Sequence, residues 1–208
     1  MLLMEIAHPT GSLDNCDRDQ LSGAFLDLFL GAPGYTEEIL RRVRPTTHIA
    51  FRELQGWRSG DGPPREGTAP PMLVTVTLPQ AWQEESAAFL IGLVRTAVRR
   101  LDDDRGWVRP RGSLWIKVEG VPDGSIGLDG RPATASDVLA FLTEETRAAR
   151  ENGTAAPVPE GRLPDPVCGM TVADGKGALV VEYRGERLGF CSRVCRDTYV
   201  GEHPGAVV

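Results

Sequence analysis

The chain repeats itself once, and that repeat limits what it can fold into more than any other feature. The nine residues Met1-Leu2-Leu3-Met4-Glu5-Ile6-Ala7-His8-Pro9 and the nine residues Pro71-Met72-Leu73-Val74-Thr75-Val76-Thr77-Leu78-Pro79 agree in pattern position by position. Each is short, apolar and closed by proline, as a buried strand is. A helix follows the first, with Asp17 or Asp19 as its expected cap and Leu21, Phe25, Leu26 and Phe29 at helical spacing up to the Gly31-Ala32-Pro33-Gly34 stop. A strand over Thr46 to Leu54 completes the copy. The second copy continues with a helix over Glu84 to Leu101, carrying Phe89, Leu90, Leu93, Val94 and Val98, and a strand over Ser113 to Glu119. Each strand-helix-strand crossover predicts a parallel strand pair. Two copies then share one four-stranded sheet with helices on one face, an α/β (α+β) fold of doubled βαβ type. A closing helix over Ser136 to Arg150, started by Ser136-Asp137, adds Val138, Leu139, Phe141 and Leu142.

After Arg150 the character changes. Residues 151–162 have no hydrophobic period and contain two prolines, which marks a linker between a domain at 1–150 and a module at 163–208. With 208 residues the chain exceeds one typical domain of about 100 to 150 residues, in keeping with two units. A net charge of -6 with no uninterrupted basic stretch argues against nucleic acid as partner. The longest apolar run, Ala87 to Val94, is far short of the roughly 18 residues a membrane span needs, and Glu5 interrupts any signal-like start. The expectation is a soluble cytoplasmic protein without a membrane partner.

Four cysteines, Cys16, Cys168, Cys191 and Cys195, are too few and too unevenly spread for a disulfide scaffold. Three of them fall within the last 41 residues, and in a reducing compartment such clustering points to metal or redox chemistry. Cys16 stands apart and reads as a small buried side chain or a helix-start residue.

The doubled unit, with Gly-Ala-Pro-Gly after the first helix and Val-Glu-Gly-Val-Pro-Asp-Gly-Ser-Ile-Gly-Leu-Asp-Gly after the last strand, resembles the tautomerase superfamily over about the first 145 residues. The resemblance implies a homotrimer. It also implies an N-terminal proline acting as base with arginines nearby for a carboxylate, and here this sequence departs. Position 2 is Leu2, which leaves the Met1 amine at the strand end as a weak catalytic candidate, with Arg44 and Arg52 as equally weak anion binders. His8 and His48 read as structural.

From Leu163 the chain runs Leu-Pro-Asp-Pro-Val-Cys-Gly-Met, then a hairpin pattern, then Gly189-Phe190-Cys191-Ser192-Arg193-Val194-Cys195, which resembles the YHS domain. That resemblance implies a metal site at Cys168, Cys191 and Cys195. Leu188 and Gly189 depart from it, because aromatic residues often precede the Phe-Cys pair. Size argues the same way without the family: 46 residues seldom supply enough core, and a metal or disulfide staple is usual at that length. Ala178 to Tyr183 and Glu186 to Phe190 alternate around Arg184-Gly185 as a hairpin, and Ser192 to Val200 reads as a helix with Cys191 and Cys195 on one side. Arg193 and Arg196 together with the helix start are expected to make Cys191 an easily formed thiolate. Candidates for a fourth ligand are His203, Met170, Asp165 or water, and zinc and copper both suit three thiolates.

The first reading of function is thus a metal-binding protein, holding Zn or another thiophilic transition metal ion such as Cu in a module tethered to a trimerising domain. The second is an enzyme of tautomerase, isomerase or dehalogenase type acting on small carboxylates, with the module as an accessory. The third is an interaction scaffold.

Overall fold

The computed structural model describes residues 2–65, 67–154, 157–175 and 177–206. Strand β1 (Leu2–Pro9) leads through helix α1 (Asn15–Leu30) and a short helix α2 (Glu37–Val43) to β2 (Thr47–Leu54). Strand β3 (Met72–Pro79), helix α3 (Gln80–Arg105) and β4 (Leu114–Val121) repeat the plan. The four strands form one sheet in the order β2-β1-β3-β4. β1 pairs in parallel with β2, and β3 with β4, while β1 and β3 are antiparallel at the centre. Glu5 faces Thr75, its own counterpart in the second copy, so a local two-fold axis relates the halves. The parallel pairs and the sheet are those the repeat predicts.

Alternation along the central strands decides which face is covered. Leu2, Met4 and Ile6 on β1, with Met72, Val74, Val76 and Leu78 on β3, are buried under the helices. Leu3, Leu73 and Trp115 lie on the opposite, open face. Leu21, Phe25 and Phe29 of α1 and Leu90, Val94, Val98 and Leu101 of α3 close the core. Phe89, one position from that stripe, remains exposed.

Several local expectations are corrected. The α1 cap is Asp14: its carboxylate accepts the Asp17 N–H at 2.9 Å, while Asp17 accepts the Asp14 N–H at 3.0 Å, so Asp17 is the reciprocal partner of a capping box. Helix α2 was not foreseen, being a single short turn pair whose Ile39, Leu40 and Val43 are buried. Helix α3 begins directly at Gln80 with no cap of the usual type, and Gln83 Nε2 instead donates to the Val118 carbonyl of β4 at 2.9 Å. A two-residue Asp129-Gly130 turn, both residues at positive φ, joins β5 (Ile126–Leu128) to β6 (Arg131–Ala133). The closing helix α4 (Ala135–Glu151) is capped by Thr134, two positions before the expected Ser136: its hydroxyl accepts the Asp137 N–H at 3.1 Å, and Asp137 accepts the Thr134 N–H at 2.8 Å. Among the described residues no helix is long and apolar enough to cross a membrane.

The C-terminal module consists of the hairpin β7 (Arg162–Pro164) and β8 (Thr171–Ala173), the hairpin β9 (Leu179–Tyr183) and β10 (Glu186–Phe190), and helix α5 (Arg193–Glu202). Arg184 and Gly185 both take positive φ, the turn that the right-handed strand twist favours. Gly189 has a packing reason to carry no side chain. A methyl group there would run into Val172 and Leu163, so glycine lets the first hairpin lie against β10.

Candidate metal centre

Local backbone chemistry brings the three clustered cysteines together. The buried Asp165 carboxylate accepts the N–H groups of Val167 at 2.9 Å and Cys168 at 3.2 Å through one oxygen, folding the Asp-Pro-Val-Cys-Gly segment into a tight turn. Its other oxygen accepts the Cys191 N–H at 2.9 Å, 26 positions further along the chain. One side chain thus clamps both sulfur-bearing segments. Ser192, at the cap of α5, accepts the Cys195 N–H at 3.2 Å and sets the third sulfur in the first helical turn.

The sulfurs of Cys168 and Cys191 lie 3.4 Å apart, and those of Cys191 and Cys195 lie 3.6 Å apart. With metal-sulfur bonds of about 2.3 Å, a tetrahedral ion spaces its sulfurs about 3.8 Å apart, so the cluster is already within a few tenths of an ångström of that edge. The ligand atoms of Asp165, Cys168, Cys191 and Cys195 all lie within 4.8 Å of one another. The donor set fits a thiophilic ion.

The ionisation pattern differs from the expected one. Cys191 precedes the helix cap, so it is not a helical residue sharing a face with Cys195. The arginines expected to favour its thiolate are engaged elsewhere: Arg193 with Glu85 at 3.3 Å, and Arg196 with Asp197 at 2.7 Å. The lowered pKa falls on Cys195, to about 3, because hydrogen bonds from the Cys168 and Cys191 thiols and the Ser192 hydroxyl favour its thiolate against the effect of burial. Cys168 is pushed up by burial and by its hydrogen bonds to the other two sulfurs. Cys191 feels a lowering hydrogen bond from Cys168, but its bond to Cys195, burial and the neighbouring negative charges outweigh it and raise the pKa. Asp165 is raised by burial and by the Cys195 charge, against the N–H groups it accepts. The shifts thus run in opposite directions within the cluster, favouring ionisation at Cys195 over Cys168 and Cys191.

His203 does not reach the cluster. It follows the far end of α5, where its ring stacks on Tyr199 at 4.0 Å and Nδ1 lies 2.9 Å from the Tyr199 carbonyl. Eight positions of helix separate it from Cys195, roughly 12 Å along the axis. Met170 packs against both apolar clusters. Cys16 is exposed in the first turn of α1, a helix-start residue as expected but not a buried one. Arg44 pairs with Glu37 at 3.4 Å and Arg52 approaches Glu5 at 3.9 Å. Met1 lies outside the described residues. His8 is buried, with Nδ1 3.1 Å from the Ser12 hydroxyl, and His48 is exposed on β2.

Sequence reasoning could not supply the contact between the two units. Gly34 of the α1–α2 connection accepts the Thr171 N–H at 3.3 Å, and Glu85 of α3 accepts the Arg193 N–H at 3.1 Å, capping α5 from the other unit. Tyr35 is half-buried beside the cluster, and desolvation raises its phenol to about 12. None of these contacts leaves a signal in the local pattern.

No protein-family model matches the chain, and no curated protein matches it either. Among solved structures, a native fused 4-OT is 20% identical, covering 63% of this chain and 95% of its own, with a TM-score of 0.43. MIF2 of Leishmania major is 16% identical over 64% of this chain and 97% of its own, with a TM-score of 0.42. N1, a member of the cis-3-chloroacrylic acid dehalogenase family, is 13% identical over 72% of this chain and 99% of its own, with a TM-score of 0.45. The chemistry of the present chain rests on its own residues.

Proposed function

We propose that the chain is a metal-binding protein whose Cys168, Cys191 and Cys195 hold a thiophilic transition metal ion, zinc or copper(I), with Asp165 as the clamp that positions two of the three. The observation that carries this reading is the convergence of three sulfurs at 3.4 and 3.6 Å from segments more than 20 positions apart. The module's energetics support it. Its own buried apolar set is Val167, Cys168, Val181, Leu188, Phe190, Cys195 and Tyr199, and two of these seven are the cysteines themselves. A core that small seldom suffices alone, and a bound ion supplies folding free energy directly.

The enzyme reading finds less support, because Arg44 and Arg52 are paired with acids on the surface. We further propose assembly as a homotrimer through the open sheet face that carries Leu3, Leu73 and Trp115. Elemental analysis of untagged protein tests the metal reading: about one ion per chain is expected, lost in Cys191→Ser and retained in Cys16→Ser. A folded module that stays metal-free after exposure to zinc and copper(I) overturns it. Native mass spectrometry reads the subunit count in the same experiment.

A further inference from the structure

The three sulfurs line one end of a cavity of about 420 Å³ at the seam between the two units, a size usual for small-molecule sites. Its remaining wall is mainly apolar, built chiefly by Phe29, Trp82, Phe89, Leu139 and Met170, with the hydroxyl-bearing Tyr35, Ser86 and Thr143 also lining it. Among the described residues no arginine, lysine or histidine lines it. The one acidic side chain that reaches it, Glu85, is engaged by the Arg193 N–H at 3.1 Å. Asp165 does not border this cavity: its Oδ1 accepts two backbone N–H groups and its Oδ2 one, which leaves Oδ2 the internal competitor for an ion held by the sulfurs. A divalent ion held by the three thiolates without Asp165 would direct its fourth tetrahedral position towards the apolar space that the same cysteines line.

We infer that this seam is a binding site for a small neutral organic molecule, an apolar body bearing one lone-pair donor such as a heteroaromatic nitrogen, which completes the coordination of the ion. The inference rests on the metal reading proposed above. Charge selects the ligand class. A divalent ion with three thiolates carries a net charge of -1, and a second negative charge beside it, in a cavity with no cationic side chain, is disfavoured by desolvation. A neutral donor adds its lone pair without adding charge, and no proton or electron is exchanged. Small carboxylates, the substrates of the enzyme alternative, find no cation here.

The full-length chain loaded with cobalt(II) reports both levels separately, since thiolate-to-cobalt charge-transfer bands register the cysteines and ligand-field bands register the fourth position. Titration with 4-phenylimidazole, imidazole and isonicotinate is the test. A saturable ligand-field shift is expected with 4-phenylimidazole at roughly tenfold or greater affinity over imidazole, from burial of the phenyl ring, and no shift with isonicotinate at matched concentrations. Phe89→Asp, at a half-exposed position on the cavity wall, should retain the charge-transfer bands and lose most of that preference. Equal affinity for the two imidazoles overturns the inference while leaving the metal reading intact. The same holds for unaltered ligand-field bands, which would place an internal donor such as the Met170 thioether in the fourth position. Absence of charge-transfer bands before any ligand is added overturns both.

Discussion

Replacing Gly169 by alanine should loosen the cysteine module from the rest of the chain. Gly169 follows Cys168 in the turn clamped by Asp165, at φ +76°, and a methyl group there would collide with Cγ2 of Thr146 on α4. Left-handed backbone costs a non-glycine residue about 1 to 2 kcal/mol, and overpacking a close contact adds about 1 to 3 kcal/mol. A total near 3 kcal/mol is expected for the single variant. Thr146→Ala supplies the control. Its hydroxyl is buried with no hydrogen-bond partner among the described residues, so the variant forfeits no bond and should lose only about 1 kcal/mol for the buried Cγ2 methyl. In that background the Cγ2 collision disappears while a tight 3.0 Å contact with the Cβ of position 146 stays beside the backbone term, so the cost falls to about 1 to 2 kcal/mol and a coupling of about 1 to 2 kcal/mol is left. Native-state hydrogen exchange of the Val181 and Phe190 amides, inside the β9–β10 hairpin, measures each corner of the cycle. An equal cost of Gly169→Ala in both backgrounds would refute the close packing of this turn on α4.

Zinc binding at neutral pH should release about two protons per ion, because Cys195, with its pKa near 3, is already ionised while Cys168 and Cys191 are not. A release of three, read with a pH indicator in weak buffer, would place a proton on Cys195. Tyr35 should contribute stability that is intact below the ordinary phenol value of 10 and is lost as pH rises through about 12. Ultraviolet titration should show late ionisation from Tyr35 as well as from Tyr199, whose phenol burial also raises, and Tyr35→Phe should remove the component near pH 12; an unchanged curve in the variant would contradict the desolvation of Tyr35. Arg109 donates to both oxygens of the buried Asp102, at 2.7 and 2.8 Å, and to the Pro70 carbonyl at 2.6 Å. Arg109→Met should therefore destabilise the first unit by about 3 to 5 kcal/mol, with much of the loss recovered by adding Asp102→Asn. Urea unfolding of the three variants measures this, and a loss under about 1 kcal/mol would show the pair to be dispensable.

Periodicity made the sheet legible. Alternating apolar residues at 2, 4 and 6 and again at 72, 74, 76 and 78 specify two strands with one buried face each, and the helical stripes at Leu21-Phe25-Phe29 and Leu90-Val94-Val98 specify what covers them. Helix boundaries were less legible where a cap came from outside the usual pattern. At α3 the first turn is secured by Gln83 reaching a strand carbonyl, a contact between elements distant in sequence. The Arg184-Gly185 hairpin was legible because two-residue turns of this kind require positive φ, which glycine adopts freely.

Within the candidate site, the sequence by itself determined which sulfurs are available and roughly which segments present them: a tight Asp-Pro-Val-Cys-Gly turn, a hairpin, and a helix start. Tertiary structure decided the rest. It set Asp165 as a clamp on Cys191, brought the Cys168 and Cys191 thiols and the Ser192 hydroxyl to Cys195, drew Arg193 to Glu85, carried His203 to the far end of α5, and opened the cysteine cluster onto a largely apolar cavity. The physical reason is one of range. Turn and helix preferences act over a few residues, whereas charge, burial and the shape of a cavity depend on groups that only folding brings within a few ångströms of one another.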